Sequence, residues 1–344
     1  MSKLHRCIVI GASAGGVEAL KQVAAGLPGD LAVPVFVVLH ISPWSPSLLT
    51  EILGNVCPLP VCCPQDGEEI RGGAVYVASP DHHLLIEGGK VGVKRGPKEN
   101  GFRPSIDALF RSAAYTCGAG AVGVVLSGAL HDGTSGLWSI KQLGGTAVVQ
   151  HPDEAQFDSM PLSALEYVAP DYLLPASEMG TLLGRLAAEP LPAPAPIGPD
   201  AEKLLAAEVA VAAGEVAIRQ GIMEMGTLTP FTCPECHGTL TRIGDGPLSR
   251  FRCHTGHAYT DSALLAAVMD STGEMIWQVV RSLEEGIMLL SGRGTSLKEA
   301  GDPVRAEIFL SRARLLEQQS KTFQKAAVEH GRTGTDNGGQ KSES

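Results

Sequence analysis

This 344-residue chain has no excess of positive charge. Lys and Arg number 27 against 37 Asp and Glu, a formal charge of −10. Phosphate backbones are gripped by a basic face, so broad nucleic-acid binding is excluded. No apolar run reaches the ~18 residues that cross a bilayer, so no membrane insertion is expected. The first residues, Met1 to Arg6, lead into a strand rather than an apolar leader, which places the chain in the cytoplasm. The first half also lacks a paired cysteine framework. Cys7, Cys57, Cys62, Cys63 and Cys117 are scattered there and read as small buried hydrophobes in a reducing compartment. Finally, no acidic pair flanks the first apolar run, so a Mg²⁺-dependent phosphoacceptor site, and control by phosphoryl donors, is not expected.

What is present is alternation. Short apolar runs, Cys7–Ile10, Val33–Leu39, Gly73–Val77, His83–Glu87, Ala121–Leu126 and Thr146–Val149, alternate with helical stretches. The expected helices are Gly16–Gly26, Trp44–Asn55, Ser105–Tyr115, Gly133–Leu143 and Ser159–Val168. Strands alternating with helices of this length predict an α/β fold with a doubly wound, mostly parallel sheet over residues 1–187. Gly73–Val77 and His83–Glu87 read as a hairpin at one edge. Five prolines in 188–199 predict a stiff linker and the main domain boundary. A helix (200–225), a small zinc ribbon (226–262), a helical hairpin (263–330) and a disordered tail (331–344) are expected to follow. In the hairpin, Ile276, Val280, Leu283, Ile287 and Leu290 share one helix face. That face reads as a seam against a helix at 303–328, with partner binding as the rarer alternative.

Three chemistry-bearing residues sit just past strands. Gly11-Ala12-Ser13-Ala14-Gly15 matches G-x-S-x-G, a strand-to-helix turn that exposes a serine hydroxyl. The Ala14 amide lies at the following helix N-terminus, where an oxyanion would be stabilised. His40 ends the second run and Asp132 follows the fifth. Ser13, His40 and Asp132 therefore form a candidate nucleophile, base and orienting acid. The rival is a nucleotide-binding turn. Ser13 replaces its middle glycine, and His40 stands where an acid would hold a ribose. His131 is an alternative base. His82, His83 and His151 read as surface or edge residues.

Six segments carry a resemblance. They are Ile10–Gly16, Leu39–Pro43, Val75–Leu84, Arg103–Phe110, Leu126–Gly133 and Met160–Ala164. Together and in this order they resemble the catalytic domain of CheB-type chemotaxis protein-glutamate methylesterases. The resemblance implies a serine esterase that hydrolyses glutamate γ-methyl esters on chemoreceptor helices and releases methanol, with glutamine deamidation in some members. It puts the nucleophile on Ser13, the base on His40 and the acid on Asp132, and implies no catalytic cofactor. Two features depart from the best-known members. The sequence starts at the catalytic strand, so the receiver segment of those members is not expected here, and Ser127-Gly128-Ala129-Leu130 replaces a Thr-Gly-Met-Gly loop. A weakly catalytic adaptor, binding a signalling partner through its tail, is the alternative reading.

The remaining cysteines cluster. Cys233-Pro-Glu-Cys236 and Cys253-His-Thr-Gly-His257 give C-x₂-C and C-x₃-H half-sites, a closed shell for structural zinc. His257 is the favoured fourth ligand, with His254 and His237 as substitutes. The esterase half is expected to work without this segment.

Overall fold

A computed structural model describes residues 4–42, 44, 48–245 and 248–335. Seven strands form one parallel sheet: β1 (Cys7–Ala12), β2 (Val35–Leu39), β3 (Val61–Cys62), β4 (Val75–Val77), β7 (Ala121–Val125), β8 (Thr146–Gln150) and β9 (Tyr172–Leu174), in the order β3-β4-β2-β1-β7-β8-β9. The chain builds outward from β1 in one direction and then crosses back to build in the other. The reversal lies at β1, and in such a sheet the crevice beyond the carboxyl ends of the strands at the switch point is where sites form.

The strands are apolar on both faces because both faces are covered. Along β1, Ile8, Ile10 and Ala12 enter one core with α1 (Gly16–Ala25), α2 (Leu49–Gly54) and α6 (Ala176–Ala188). Cys7 and Val9 enter the other with α3 (Ile106–Cys117), α4 (Thr134–Gln142) and α5 (Ser159–Tyr167). Period-two alternation thus delivers successive side chains to opposite layers. The five helices expected in this part are present, α2 in shortened form: it starts at Leu49, and residues 45–47 of its expected span lie outside the described residues.

The expected edge hairpin is not formed. Val75–Val77 pairs in parallel with β2 and β3 inside the main sheet. His83–Glu87 (β5) instead pairs antiparallel with Lys90–Lys94 (β6) as a separate two-stranded sheet. The Gly88-Gly89 turn, with both residues at positive φ, allows that tight reversal. Lys90–Lys94 is not among the strands expected from sequence; a central Gly92 and only two apolar residues between lysines mask it.

Two compact units are present, Met1–Leu264 and Leu265–Ser344. The proline-rich segment 188–199 therefore falls inside the first unit. Beyond it come α7 (Pro199–Ala212) and the antiparallel strands β10 (Thr227–Thr232), β11 (Thr239–Asp245), β12 (Leu248–Cys253) and β13 (Ala258–Thr260). What joins them to the esterase half is charge. Arg111 on α3 and Glu99 pair with each other, and Arg252 Nη2 on β12 lies 2.9 Å from Glu99 Oε1 and 3.2 Å from Glu208 Oε1 on α7. Arg250 Nη1 reaches Glu208 Oε2 at 2.6 Å. All five side chains are buried. Within this cluster burial works against the charge on Glu208, but three guanidinium groups overcome it and hold its carboxyl down at about 2. These buried charges join two segments that the proline-rich stretch was expected to separate. A fragment ending near residue 190 would lose Glu208, Arg250 and Arg252, three of the five.

In the second unit, α8 (Asp261–Glu299), which begins in the first unit, and α9 (Pro303–Thr335) form the antiparallel pair. The connection is Ala300–Asp302, shorter than the loop expected over 291–303. Ile276, Val280, Leu283, Ile287 and Leu290 do line the seam, fully or half buried. They meet a face of α9 whose buried small residues Ala306, Ala313, Ser320 and Ala327 recur every seven positions. Helix also covers 331–335, expected to be disordered; the rest of that tail lies outside the described residues.

Glu208→Ala would leave the three buried guanidinium groups short of one carboxylate. It should destabilise the first unit by on the order of 3–5 kcal/mol, the usual cost of breaking a buried ionic group from one side. Denaturant unfolding measures this, and a loss below ~1 kcal/mol would show the cluster to be dispensable.

Candidate active site

Ser13 follows β1, His40 follows β2, and Asp132 follows β7, so three adjacent strands deliver the three residues to one crevice. His40 Nδ1 lies 3.2 Å from Ser13 Oγ, and His40 Nε2 lies 2.9 Å from Asp132 Oδ2. An ionised carboxylate only accepts, so Nε2 carries the proton and Nδ1 presents its lone pair to the serine. The two ring nitrogens are used in the opposite sense to the familiar serine-protease arrangement. The ring of Phe102 stacks on His40, with centroids 3.8 Å apart and planes 5° from parallel. That leaves the imidazole little rotational freedom.

The serine turn is held by backbone. Ser13 N donates to Ser127 O at 3.0 Å, and Gly16 N donates to Ser13 O at 2.9 Å. Gly15 has φ 69°, a conformation that favours glycine. Gly128 must be glycine for a different reason: a Cβ there would stand 2.9 Å from Ser13 Cβ and 2.0 Å from Met160 Sδ. The Ala14 N–H has no partner among the described residues and lies at the entrance to α1.

Asp132 is the most heavily bonded group of the site. Its Oδ1 accepts from Asn100 Nδ2 (2.9 Å), Ser105 Oγ (3.0 Å) and Asp107 N (3.2 Å), and its Oδ2 also accepts from Ile106 N (2.6 Å). Ile106 and Asp107 open α3, so the carboxylate sits on a helix N-terminus. The favour is returned. Asp107 Oδ1 accepts from Gly133 N and Gly136 N at the start of α4. Each aspartate thus caps the helix that the other introduces. Burial opposes the charge on Asp132, but the bond and charge of His40, the Ile106 N–H and the Asn100 amide hold it at about 2. Asp107 goes the other way. Burial and then the neighbouring Asp132 charge push its carboxyl well up.

His131, the alternative base, is not hydrogen-bonded to Ser13; burial lowers its pKa, and it lines a separate hollow with Thr134 and Glu166. His83, expected at the surface, is fully buried. Its Nε2 donates to Pro97 O at 2.8 Å, and its Nδ1 accepts from Ser105 N at 3.2 Å. It therefore pins the residue that precedes α3 and bonds Asp132. Burial, with the nearby Arg103 and Arg111 charges, brings its pKa down to about 4. Phe102, Asn100, Ser105 and Asp107 were not singled out by sequence. Their signal was their place beside or within Arg103–Phe110, one of the segments that carry the resemblance.

The second cluster also comes together. One ligand atom from each of Cys233, Cys236, Cys253 and His257 lies within 4.8 Å of all the others. Tetrahedral zinc with bonds of about 2.3 Å to sulfur and 2.0–2.1 Å to nitrogen implies sulfur–sulfur edges near 3.8 Å and sulfur–nitrogen edges near 3.6 Å. Cys236 Sγ and Cys253 Sγ are 3.7 Å apart, and His257 Nδ1 is 3.6 Å from both Cys233 Sγ and Cys253 Sγ. The donor set fits zinc. His237 and His254 are exposed and stand outside it.

A parallel sheet that presents a serine, a histidine and a buried carboxylate from adjacent strand ends is an architecture on which hydrolases are built. The profile of the CheB methylesterase family matches residues 8–183, half of the sequence, and the chain belongs to that family. A Leptospira interrogans protein provisionally named protein-glutamate methylesterase/protein-glutamine glutaminase is 41% identical over 183 residues, 53% of this chain and 95% of its own length. A Geobacter metallireducens protein named protein-glutamate methylesterase/protein-glutamine glutaminase 4 is 35% identical over 186 residues, 54% of each chain. The crystal structure of the Thermotoga maritima CheB methylesterase catalytic domain superposes with a TM-score of 0.51 at 33% identity, covering 53% of this chain and 98% of that one. None of the helices among the described residues is long and apolar enough to cross a membrane.

Two tests follow. Because His83 titrates lower folded than unfolded, its contribution is complete above pH ~6.5 and is lost as pH falls through about 4. Unfolding free energy should therefore decline over that window by on the order of 3 kcal/mol, and His83→Gln should flatten the decline. Metal analysis of the purified chain should find one zinc, and chelation should release amide protection over 231–260, whose core is too small to stand alone. A metal-free chain with those amides still protected would count against a zinc site.

Proposed function

We propose that this chain hydrolyses glutamate γ-methyl esters on methylated chemoreceptor helices or a related cytoplasmic signalling protein, releasing methanol, and that it shares the glutaminase activity its relatives are named for. The observation that carries the reading is the unbroken hydrogen-bond chain from Asp132 through His40 to Ser13, at the switch point of the family's sheet.

The chemistry follows from the geometry. His40 Nδ1 takes the proton from Ser13 Oγ as that oxygen attacks the ester carbonyl. The imidazolium that forms is flanked by Asp132, which stays ionised at every working pH because its carboxyl is held at about 2. The Ala14 N–H is the donor for the developing oxyanion. Nδ1 then returns the proton to the departing methoxide, giving methanol and a glutamyl-serine ester. Water, activated by the same nitrogen, hydrolyses this ester and regenerates Ser13. A glutamine side chain would follow the same path with ammonia leaving. Beside Gly15 the surface is an open polar groove lined by Glu18, Gln22, Gln150 and Gln156, which suits a side chain presented on a protein surface more than a small enclosed ligand. An adaptor would have no need for a carboxylate so expensively kept charged.

Ser13→Ala should abolish methanol release from methylated receptor helices while changing stability by less than ~1 kcal/mol, since a half-buried hydroxyl is lost and no core changes. His40→Ala should be comparably inactive. Near-normal turnover in Ser13→Ala would show that another group is the nucleophile.

A further inference from the structure

The Cys/His cluster and the esterase crevice are joined by one side chain. Asn100 is buried and has φ 52°, a backbone conformation that asparagine tolerates better than most residues. Its amide is fully used. Nδ2 donates to Asp132 Oδ1 and to Asp107 Oδ2, both at 2.9 Å, and Oδ1 accepts from Thr260 N at 3.0 Å. Thr260 lies on β13, the strand that begins immediately after His257. The backbone repeats the connection. Asn100 N donates to Ala258 O at 2.7 Å, and Ala258 N donates to Lys98 O at 3.3 Å. Strand β13 thus runs beside 98–100 as an extra, parallel partner.

Both half-sites of the cluster grip this segment. Lys98 Nζ lies 3.0 Å from Glu235 Oε1, and Glu235 stands between Cys233 and Cys236. From the other half-site, Arg252, next to Cys253, holds Glu99 with one nitrogen and Gly256 O with another at 2.7 Å. The turn between Cys253 and His257 is closed by Cys253 N to His257 O at 3.0 Å and Gly256 N to Cys253 O at 2.9 Å.

We propose that the metal-filled Cys/His cluster sets the reactivity of Ser13 through Asn100: the metal fixes the Cys253–His257 turn, the turn fixes β13, and β13 orients the amide that completes the hydrogen bonding of Asp132. Asn100 is then a positioning residue, and the tail segment is a working part of the esterase site. Without metal, β13 loses its anchor, Asn100 Oδ1 loses its donor and the amide is free to rotate away from the carboxylates. Ile106, Asp107 and Ser105 still hold Asp132, so the effect is graded and not complete. The inference rests on the reading of Ser13, His40 and Asp132 as the catalytic set.

The test uses the full chain and the rate at which a fluorophosphonate labels Ser13, together with amide exchange over 98–108. Chelator-stripped wild type should label roughly tenfold more slowly than the zinc-loaded protein, the scale expected of a misplaced catalytic group. Its 98–108 amides should exchange faster, and added Zn²⁺ should restore both. Loaded Asn100→Ala should be slowed by a similar factor, and stripping it should add little. Thr260→Pro removes the N–H that Asn100 accepts and serves the same cycle if Asn100→Ala does not fold. Stripped wild type labelling at the loaded rate overturns the proposal. So do losses that multiply across Asn100→Ala, or exchange that rises equally in β1 and β7, which would mark general unfolding. Loaded wild type that fails to label at Ser13 overturns the catalytic reading itself, whereas normal labelling that ignores the metal overturns the relay alone.

Discussion

Everything around the crevice is arranged to keep one carboxylate buried and ionised. Asp132 is removed from water, which by itself would favour the neutral acid. Four donors from the chain around α3 and the ring of His40 offset that cost. The requirement propagates outward. The Ile106 and Asp107 amides are available only at a helix start, so α3 must begin at the mouth of the crevice. Ser105 must be held there, and His83 holds it. Asn100 must face inward, and the β13 strand holds that.

Two aspartates so close together could not both be charged comfortably, and the environment separates them. Asp132 has the His40 ring and the helix N-terminus of α3. Asp107 has the α4 amides, the Asn100 amide and the Arg250 charge, which do not outweigh burial and the Asp132 charge. The result is a pair with opposite displacements, one carboxyl driven down and the other up. Such divergence between neighbouring groups is common where acid–base chemistry is done, and here it lies beside the Ser13–His40 pair.

The buried ionic cluster extends the same logic to the tail. Glu99 precedes Asn100, and Arg252 precedes Cys253. Pairing these charges in a dry interface is costly unless every partner is present, so it enforces one arrangement of the tail segment on the esterase half. That makes residues 199–264 part of the first unit, although a proline-rich stretch precedes them.

The sequence by itself determined the parts that depend on local periodicity and spacing. Apolar runs such as Val33–Leu39, alternating with helical stretches, announced a parallel sheet, with the candidate residues Ser13, His40 and Asp132 past the ends of three of them. The C-x₂-C and C-x₃-H spacings announced the four-ligand cluster. The stripe over 276–290 announced the seam of a helical pair. Only the tertiary structure decided the rest. The nitrogen of His40 that faces Ser13, the burial of His83, the stacking of Phe102 and the pairing of Glu99 with Arg252 are contacts between segments distant in sequence. Asn100 and Thr260 are 160 residues apart, and no periodicity links an amide in one loop to an N–H on a distant strand. Local patterns fix which elements form; long-range hydrogen bonds and buried charges fix which of them share a site.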